Sequence, residues 1–339
     1  MPELRRDPIT KSWSIIATER AKRPESSLTK NFISGDEITY DPACFFCEGN
    51  EHATPSEVLA YRDKDNFHDT PGWNIRVVPN KFAALNLNED FHVNQENPIK
   101  VNGYARGVAE VLIESPHHTR NLALQSIDHI SCVLMAYKDR YLSLAHETTI
   151  KYISIFRNNG QQAGASLVHP HSQIIATPII PVNISNELNG ANDYYESTGR
   201  CVYCDIVKTE LKDRSRIIFE NKNFIAFAPY ASRTPFETWI MPKFHNSKYQ
   251  DLDNIQLHEL AEIWKAALYK IYAGLENPPY NYFIHTSPIQ KKVDNYYHWH
   301  MELVPKLTIA AGFELGTGMY INIAIPEDCA DYLRNIEVK

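Results

Sequence analysis

Three chemical landmarks occur in this 339-residue chain in one order, and then occur again in the same order. The first pass runs Cys44-x-x-Cys47, Pro116-His117-His118 and His169-Pro170-His171-Ser172-Gln173. The second runs Cys201-x-x-Cys204, Pro242-Lys243-Phe244-His245 and His298-Trp299-His300-Met301-Glu302. The intervals are 74 and 51 residues in the first pass, and 44 and 53 in the second. The first half therefore carries an insertion between its cysteines and its first histidine. A single coincidence among 14 histidines would mean little, but three landmarks in order point to a duplicated unit.

The text between the landmarks repeats as well. Short apolar runs, Val111-Leu112-Ile113 and Trp239-Ile240-Met241, each end at a proline and a histidine and read as buried strands. Helical patterns follow over residues 128–149 and 253–275. In the second, Leu257, Leu260, Ala261, Trp264, Leu268 and Ile271 form one apolar face, and Gly274 with Pro278-Pro279 supplies a stop. Strands are expected at 150–158, 166–176, 280–286 and 298–304. The segment 184–199, rich in Asn, Ser and Gly, reads as a linker. The expected fold is α+β: tandem duplicated modules over 1–190 and 191–339, mainly antiparallel sheet with packed helices.

Cysteines in Cys-x-x-Cys pairs, in a chain with no apolar leader segment, read as metal ligands or redox centres before disulfides. Zinc takes four tetrahedral N/S ligands, and a cysteine knuckle plus two remote histidines is a common solution. Candidate sets are Cys44, Cys47, His118 and His169, and Cys201, Cys204, His245 and His298. With four protein ligands each, both zinc ions would be structural. Spacing alone leaves His117 as an alternative to His118. It also allows His285 and His300 to form or complete a different metal site.

His171 is left free in this scheme. A neutral imidazole can attack phosphorus and form a phosphoramidate, splitting one group transfer into two steps. Just upstream, Gly160, Gly164 and the small Ala163, Ala165 and Ser166 would let backbone approach a phosphate. The net charge of −7 argues against nucleic acid or a membrane surface as partner, and no run of 18 apolar residues occurs. A cytoplasmic location is the default expectation.

The His-Pro-His-x-Gln run does not stand alone. Asp7-Pro8-Ile9-Thr10, Arg20-Ala21-Lys22-Arg23-Pro24, Cys44-Phe45-Phe46-Cys47-Glu48-Gly49-Asn50 and Val78-Pro79-Asn80-Lys81-Phe82 precede it. Glu114-Ser115-Pro116-His117-His118 and Phe156-Arg157-Asn158-Asn159-Gly160 lie between. With these motifs the chain resembles, nearly end to end, the galactose-1-phosphate uridylyltransferase family of the histidine-triad superfamily. The resemblance implies that His171 is the nucleophile and that Gln173 hydrogen-bonds the transferred phosphoryl group. It implies His118 rather than His117 as ligand, and Arg20, Arg23, Asn80, Asn158 and Ser166 near substrate phosphates or nucleotide. Glu314 would accept sugar hydroxyls from across a homodimer interface.

The implied reaction moves UMP between UDP-glucose and galactose 1-phosphate, with UDP-hexose and hexose 1-phosphate as partners. Two departures leave base and acceptor open, with a nucleotide-sugar phosphorylase that uses inorganic phosphate as the alternative, whereas the His298-Trp299-His300 pair resembles that of the classical uridylyltransferases. Thr308-Ile309-Ala310-Ala311 lacks the lysine usual before the sugar-contacting segment. The second Cys-x-x-Cys, with His245 and His298, resembles a plant-type relative acting on ADP-glucose; Ser172 and Phe313-Glu314-Leu315-Gly316-Thr317-Gly318 lean the same way. A dinucleoside polyphosphate hydrolase and a zinc-stapled nucleotide-binding module without turnover are the remaining readings.

Overall fold

The computed structural model describes residues 2–22, 38–62, 67–88, 91–95, 97 and 99–338, with 21 and 22 described for the backbone only. The strands, in chain order, are β1 (Glu3–Arg6), β2 (Trp13–Ile16), β3 (Leu59–Arg62), β4 (Trp73–Pro79), β5 (Val93–Gln95), β6 (Val101–Gly103), β7 (Val108–Ile113), β8 (Tyr152–Asn159) and β9 (His171–Thr177). They continue with β10 (Ile217–Glu220), β11 (Phe224–Phe227), β12 (Thr238–Pro242), β13 (Tyr280–His285), β14 (His300–Pro305) and β15 (Tyr320–Asn322). The helices are α1 (Ile127–Leu144), α2 (Val182–Thr198), α3 (Val202–Asp213), α4 (Asn254–Gly274), α5 (Gly312–Thr317) and α6 (Pro326–Arg334).

Among the described residues, ten strands form one sheet in the order β10-β11-β12-β14-β13-β8-β9-β7-β4-β3, every neighbouring pair antiparallel. Read from its two edges inward, the sheet has the same connectivity twice: β10-β11-β12-β14-β13 and β3-β4-β7-β9-β8. The duplication read from the landmarks is therefore a pseudo-twofold in the sheet. The halves join at the β8–β13 seam, where Ile155 faces Ile284 and Asn159 faces Tyr280. Helices α1 and α4 share one face of the sheet and bury Tyr137, Tyr141, Trp264, Leu268 and strand residues of both halves in one core.

The predicted helices begin and end for local reasons. Ser126 caps α1 by accepting from the His129 N–H, and Asp253 with Gln256 forms a capping box on α4. The extra chain of the first half is accounted for in part by the β5–β6 hairpin between β4 and β7, which has no counterpart between β11 and β12.

Two expectations are corrected. The segment 184–199 is not a linker: most of it is α2, preceded by Pro181 and closed by Gly199 in the left-handed conformation. Ile184, Leu188 and Ala191 make a buried stripe at helical spacing, which the polar composition hides. The strand expected from residue 166 begins only at His171, because residues 166–170 form an irregular segment ending in Pro170.

Helix α2 also receives the N-terminal hairpin. Asp7 accepts the N–H groups of Ile9 and Thr10, and this turn presses Ile9 onto Gly190. A Cβ at Gly190 would lie 1.9 Å from the Ile9 carbonyl oxygen, so only glycine fits. Gly190→Ala is expected to cost about 1–3 kcal/mol by overpacking, read as a lower urea midpoint. Gly316→Ala, where a Cβ meets open space, should leave the midpoint unchanged.

Candidate active site and metal centres

The two cysteine–histidine sets come together as two separate clusters in corresponding places. In the first, Cys47 Sγ lies 3.3 Å from His118 Nδ1, and His169 Nδ1 lies 3.6 and 3.7 Å from the Cys44 and Cys47 sulfurs. In the second, Cys204 Sγ lies 3.2 Å from His245 Nδ1 and 3.7 Å from His298 Nδ1. His118, not His117, is the histidine in the first cluster. The outer ring nitrogens are held in matching ways: His169 Nε2–H donates to the Ser115 carbonyl at 2.8 Å, and His298 Nε2–H to the Pro242 carbonyl at 3.1 Å. Such outer partners fix the ring and leave Nδ1 as the lone-pair nitrogen. Burial holds the His169 imidazole neutral, with its pKa pushed down to about 4. Both sets are therefore able to hold a metal ion.

His171 opens β9 directly after this cluster. Its Nδ1 sits 2.8 Å from the His169 carbonyl, and only an N–H can pair there. The proton is thereby fixed on Nδ1, and Nε2 carries the lone pair. Burial lowers the imidazole pKa, which keeps the ring uncharged near neutrality. Phe46, from the cysteine knuckle, meets the His171 ring edge-on at a centroid distance of 5.4 Å.

Two cavities meet at His171. One, of about 290 Å³, is largely apolar and is lined by Phe45, Phe46, Val78, Phe82 and Val111, with Asn80 and Gln173 as polar members. The other, of about 540 Å³, is polar and runs along the β8–β9 connection past Asn158, Gly160 and Gln161. Ser166 lines both. Gly160 and Gly164 take positive φ, at 84° and 91°, which exposes the backbone of this connection as the small-residue run suggested. Asn80 accepts the Phe82 N–H, and Asn158 accepts from Asn281. Arg20 is exposed and acts electrostatically on Glu314, and neither residue lines these cavities. Arg23 lies outside the described residues.

Beneath this site is a pair that the sequence reading missed. Arg157 Nη1 and Glu114 Oε2 are 2.8 Å apart with side chains 3% and 1% exposed, and both reach Coulombically to His171. Tyr282 donates to Glu114, and Tyr137 donates to Ser172. Another omission is Glu187 on α2, which joins His285, His300 and Glu302 in a third acidic-histidine cluster. His285 Nδ1 is 2.8 Å from Glu187, and Arg233 also bonds Glu302.

The pseudo-twofold pairs His171 with His300, Phe46 with Tyr203, Val78 with Phe227 and Val111 with Trp239. The larger aromatics fill the second half: Trp239 stacks on His300 at 5.0 Å, and Tyr203 lies at 5.4 Å. His300 is wholly buried, whereas His171 faces open space. One half is open beside its histidine and the other is closed.

Residues 1–181 match the family model described as galactose-1-phosphate uridyl transferase, N-terminal domain. The chain belongs to the galactose-1-phosphate uridylyltransferase family. A second model, a domain of unknown function, matches 112–336. An ADP-glucose phosphorylase of Arabidopsis thaliana is 38% identical over 99% of this chain and 93% of its own length. The crystal structure of an Arabidopsis thaliana ADP-glucose phosphorylase with bound ADP-glucose superposes with a TM-score of 0.84, covering 99% of this chain and 100% of that one. A galactose-1-phosphate uridylyltransferase of Thermotoga maritima is 28% identical over the full length of both chains. A solved uridylyltransferase, also 28% identical, gives a TM-score of 0.75 over 98% and 97% of the two chains. Among the described residues, no helix is long and apolar enough to cross a membrane.

The buried ion pair has a testable cost. Arg157→Met alone leaves the Glu114 carboxylate unpaired in the core and is expected to lose about 3–5 kcal/mol in denaturant unfolding. The double variant Arg157→Met/Glu114→Gln should recover most of that loss.

Proposed function

We propose that the protein is a nucleotidyltransferase that opens a nucleotide sugar through a covalent nucleotidyl-His171. The observation that carries this is the His171 ring itself: protonated on Nδ1 by its bond to the His169 carbonyl, with Nε2 free at the junction of two cavities. The apolar cavity suits a nucleobase between Phe45, Phe46 and Phe82, and the polar cavity suits the phosphates and sugar.

In the first step Nε2 bonds the α-phosphorus and the bond from that phosphorus to the sugar 1-phosphate oxygen breaks, releasing the sugar phosphate. In the second step an acceptor oxygen bonds phosphorus and the Nε2–P bond breaks. Throughout, the Nδ1–H stays on the His169 carbonyl, which stabilises the positive charge the ring acquires. Gln173 donates its amide N–H to the transferred phosphoryl group, and Asn80, Asn158 and Ser166 hold nucleotide and phosphates.

The reading best supported is ADP-glucose as donor and inorganic phosphate as acceptor, giving ADP and glucose 1-phosphate. The 38% identity to the Arabidopsis phosphorylase over nearly the whole chain supports it. So do the second cysteine–histidine cluster and the absence of a lysine in Thr308-Ile309-Ala310-Ala311. The second reading, UMP transfer between UDP-glucose and galactose 1-phosphate, is favoured by the full-length likeness to the Thermotoga enzyme. A cytoplasmic enzyme is consistent with either substrate. The exposed Ile309, Phe313 and Leu315 around Glu314 support a homodimer in which this segment approaches the partner's site.

Zinc is the ion proposed for both cysteine–histidine clusters. Tetrahedral zinc with bonds of about 2.3 Å to sulfur and about 2.0 Å to nitrogen sets S–N edges near about 3.5 Å. The separations of 3.2–3.7 Å fit that figure. Four protein ligands leave no open position, so the ions hold structure. Elemental analysis should find two zinc ions per chain, one lost in Cys47→Ser and the other in Cys204→Ser, each with a lower melting temperature.

Intact mass after incubation with ADP-glucose, and separately with UDP-glucose, tests the reaction. An adenylyl adduct that is absent in a folded His171→Asn variant and discharged by phosphate is expected. A uridylyl adduct discharged only by galactose 1-phosphate would select the second reading. Turnover surviving in His171→Asn would sink both.

A further inference from the structure

The closed second half retains one open feature. In the first half the polar cavity is lined by the β8–β9 connection, by Asn121, which is three residues past His118, and by Asn277, just beyond the end of α4. The second half has a cavity of about 240 Å³ in the corresponding place. It is lined by the β13–β14 connection from Ser287 to Lys292, by Lys248, three residues past His245, and by Tyr141 and Ala145 at the end of α1. Asn121 thus corresponds to Lys248, and the Gly160-Gln161 turn to Ser287-Pro288. The space that lies beside the nucleophile in one half is preserved in the other, where the nucleophile's counterpart is sealed.

Its lining is richer in lysine than that of the first-half cavity. Lys248, Lys291 and Lys292 line it against a single carboxylate, Asp294, which bonds Lys248 at 3.0 Å. Two ammonium groups therefore remain uncompensated within the lining. Ser287, 1% exposed, also lines the cavity, and its hydroxyl has no hydrogen-bond partner. A buried hydroxyl without a partner is costly unless something else satisfies it. A nucleoside has no room beside this cavity, because Trp239 and Tyr203 occupy the space that holds the apolar pocket in the first half. The volume is below the roughly 300–1,000 Å³ of sites that bury a drug-sized ligand.

We infer that this cavity is a second phosphoryl-binding site, built for a small phosphate anion without a base and distinct from the site at His171. The occupant is a phosphoryl dianion, free or carried on a monosaccharide. Ammonium groups from Lys248, Lys291 and Lys292 bind its oxygens, and the Ser287 hydroxyl donates to it.

Equilibrium dialysis of the metal-loaded full chain against radiolabelled inorganic phosphate tests the site. The comparison is between wild type and the combined variant Lys248→Gln/Lys291→Gln/Lys292→Gln. The variant is expected to lose one equivalent of phosphate per chain, with that site weakened at least about tenfold. If the nucleotidyl-transfer reading holds, the expected change is from two equivalents to one; if that reading fails, it is from one to none. Unchanged stoichiometry and affinity would overturn the inference under either case. Should the triple variant melt early, Lys291→Glu/Lys292→Glu, which alters only exposed side chains, must show the same loss. Displacement of the lost increment by glucose 1-phosphate at lower concentration than by unlabelled phosphate assigns the site to a sugar phosphate; the reverse order assigns it to phosphate itself.

Discussion

The open end of the molecule depends on one residue placed between two tasks, His169. Its ring faces the cysteine knuckle through Nδ1 and is tied back to the Ser115 carbonyl through Nε2. Its own carbonyl accepts the His171 Nδ1–H and so decides which nitrogen of that ring carries the lone pair. An irregular segment is needed for this, since carbonyls in a regular ladder are consumed by neighbouring strands. Pro170 keeps the turn out of the sheet, and β9 starts immediately after it. The cysteine–histidine cluster is thus coupled to the His171 ring through backbone geometry.

The same device occurs in the second half, where His298 offers its carbonyl to His300 Nδ1 at 3.2 Å. Tautomer and backbone are therefore the same in both halves and do not account for the open cavity beside only His171. What separates the halves is side-chain volume on the face opposite α1 and α4. In the first half Val78, Val111 and Phe46 leave a hollow; in the second, Phe227, Trp239 and Tyr203 fill it, and α2 and α3 cover that face in a core of their own. Glu187 on α2 then meets His285, His300 and Glu302 and makes the position that corresponds to His171 part of a buried polar network.

The duplication was legible in the sequence because its landmarks are chemical: cysteine pairs and histidines must converge to be useful, and their order survives divergence of the packing between them. The ends of α4 were legible because capping and stop residues act locally. Helix α2 was not, since counting Asn, Ser and Gly conceals an apolar stripe of only a few residues. The Glu114–Arg157 pair was hidden for another reason. It depends on β8 and β7 flanking β9, an arrangement of the finished sheet that no local pattern encodes. Pocket closure by Trp239 was equally invisible, as an aromatic in a buried strand is ordinary until its register partner is known.

The packed core and the open cavities are consequently carried by separable parts of one repeated unit. The cysteine–histidine clusters sit at the rim of each half, where they tie a knuckle to the start of a strand, and their geometry is nearly the same in both. The shared helical layer treats the halves alike, burying residues of both under α1 and α4. The packing of the outer face distinguishes them. An open pocket removes packing from a half that then has fewer apolar contacts to hold it, and among the described residues the first half does have the smaller outer core cluster of the two. The closed half and the β8–β13 seam offset that deficit, because the sheet and the helical core run through both. A duplicated sheet with one filled face and one hollow face is a physical answer to keeping an open cavity in a protein whose net stability is small.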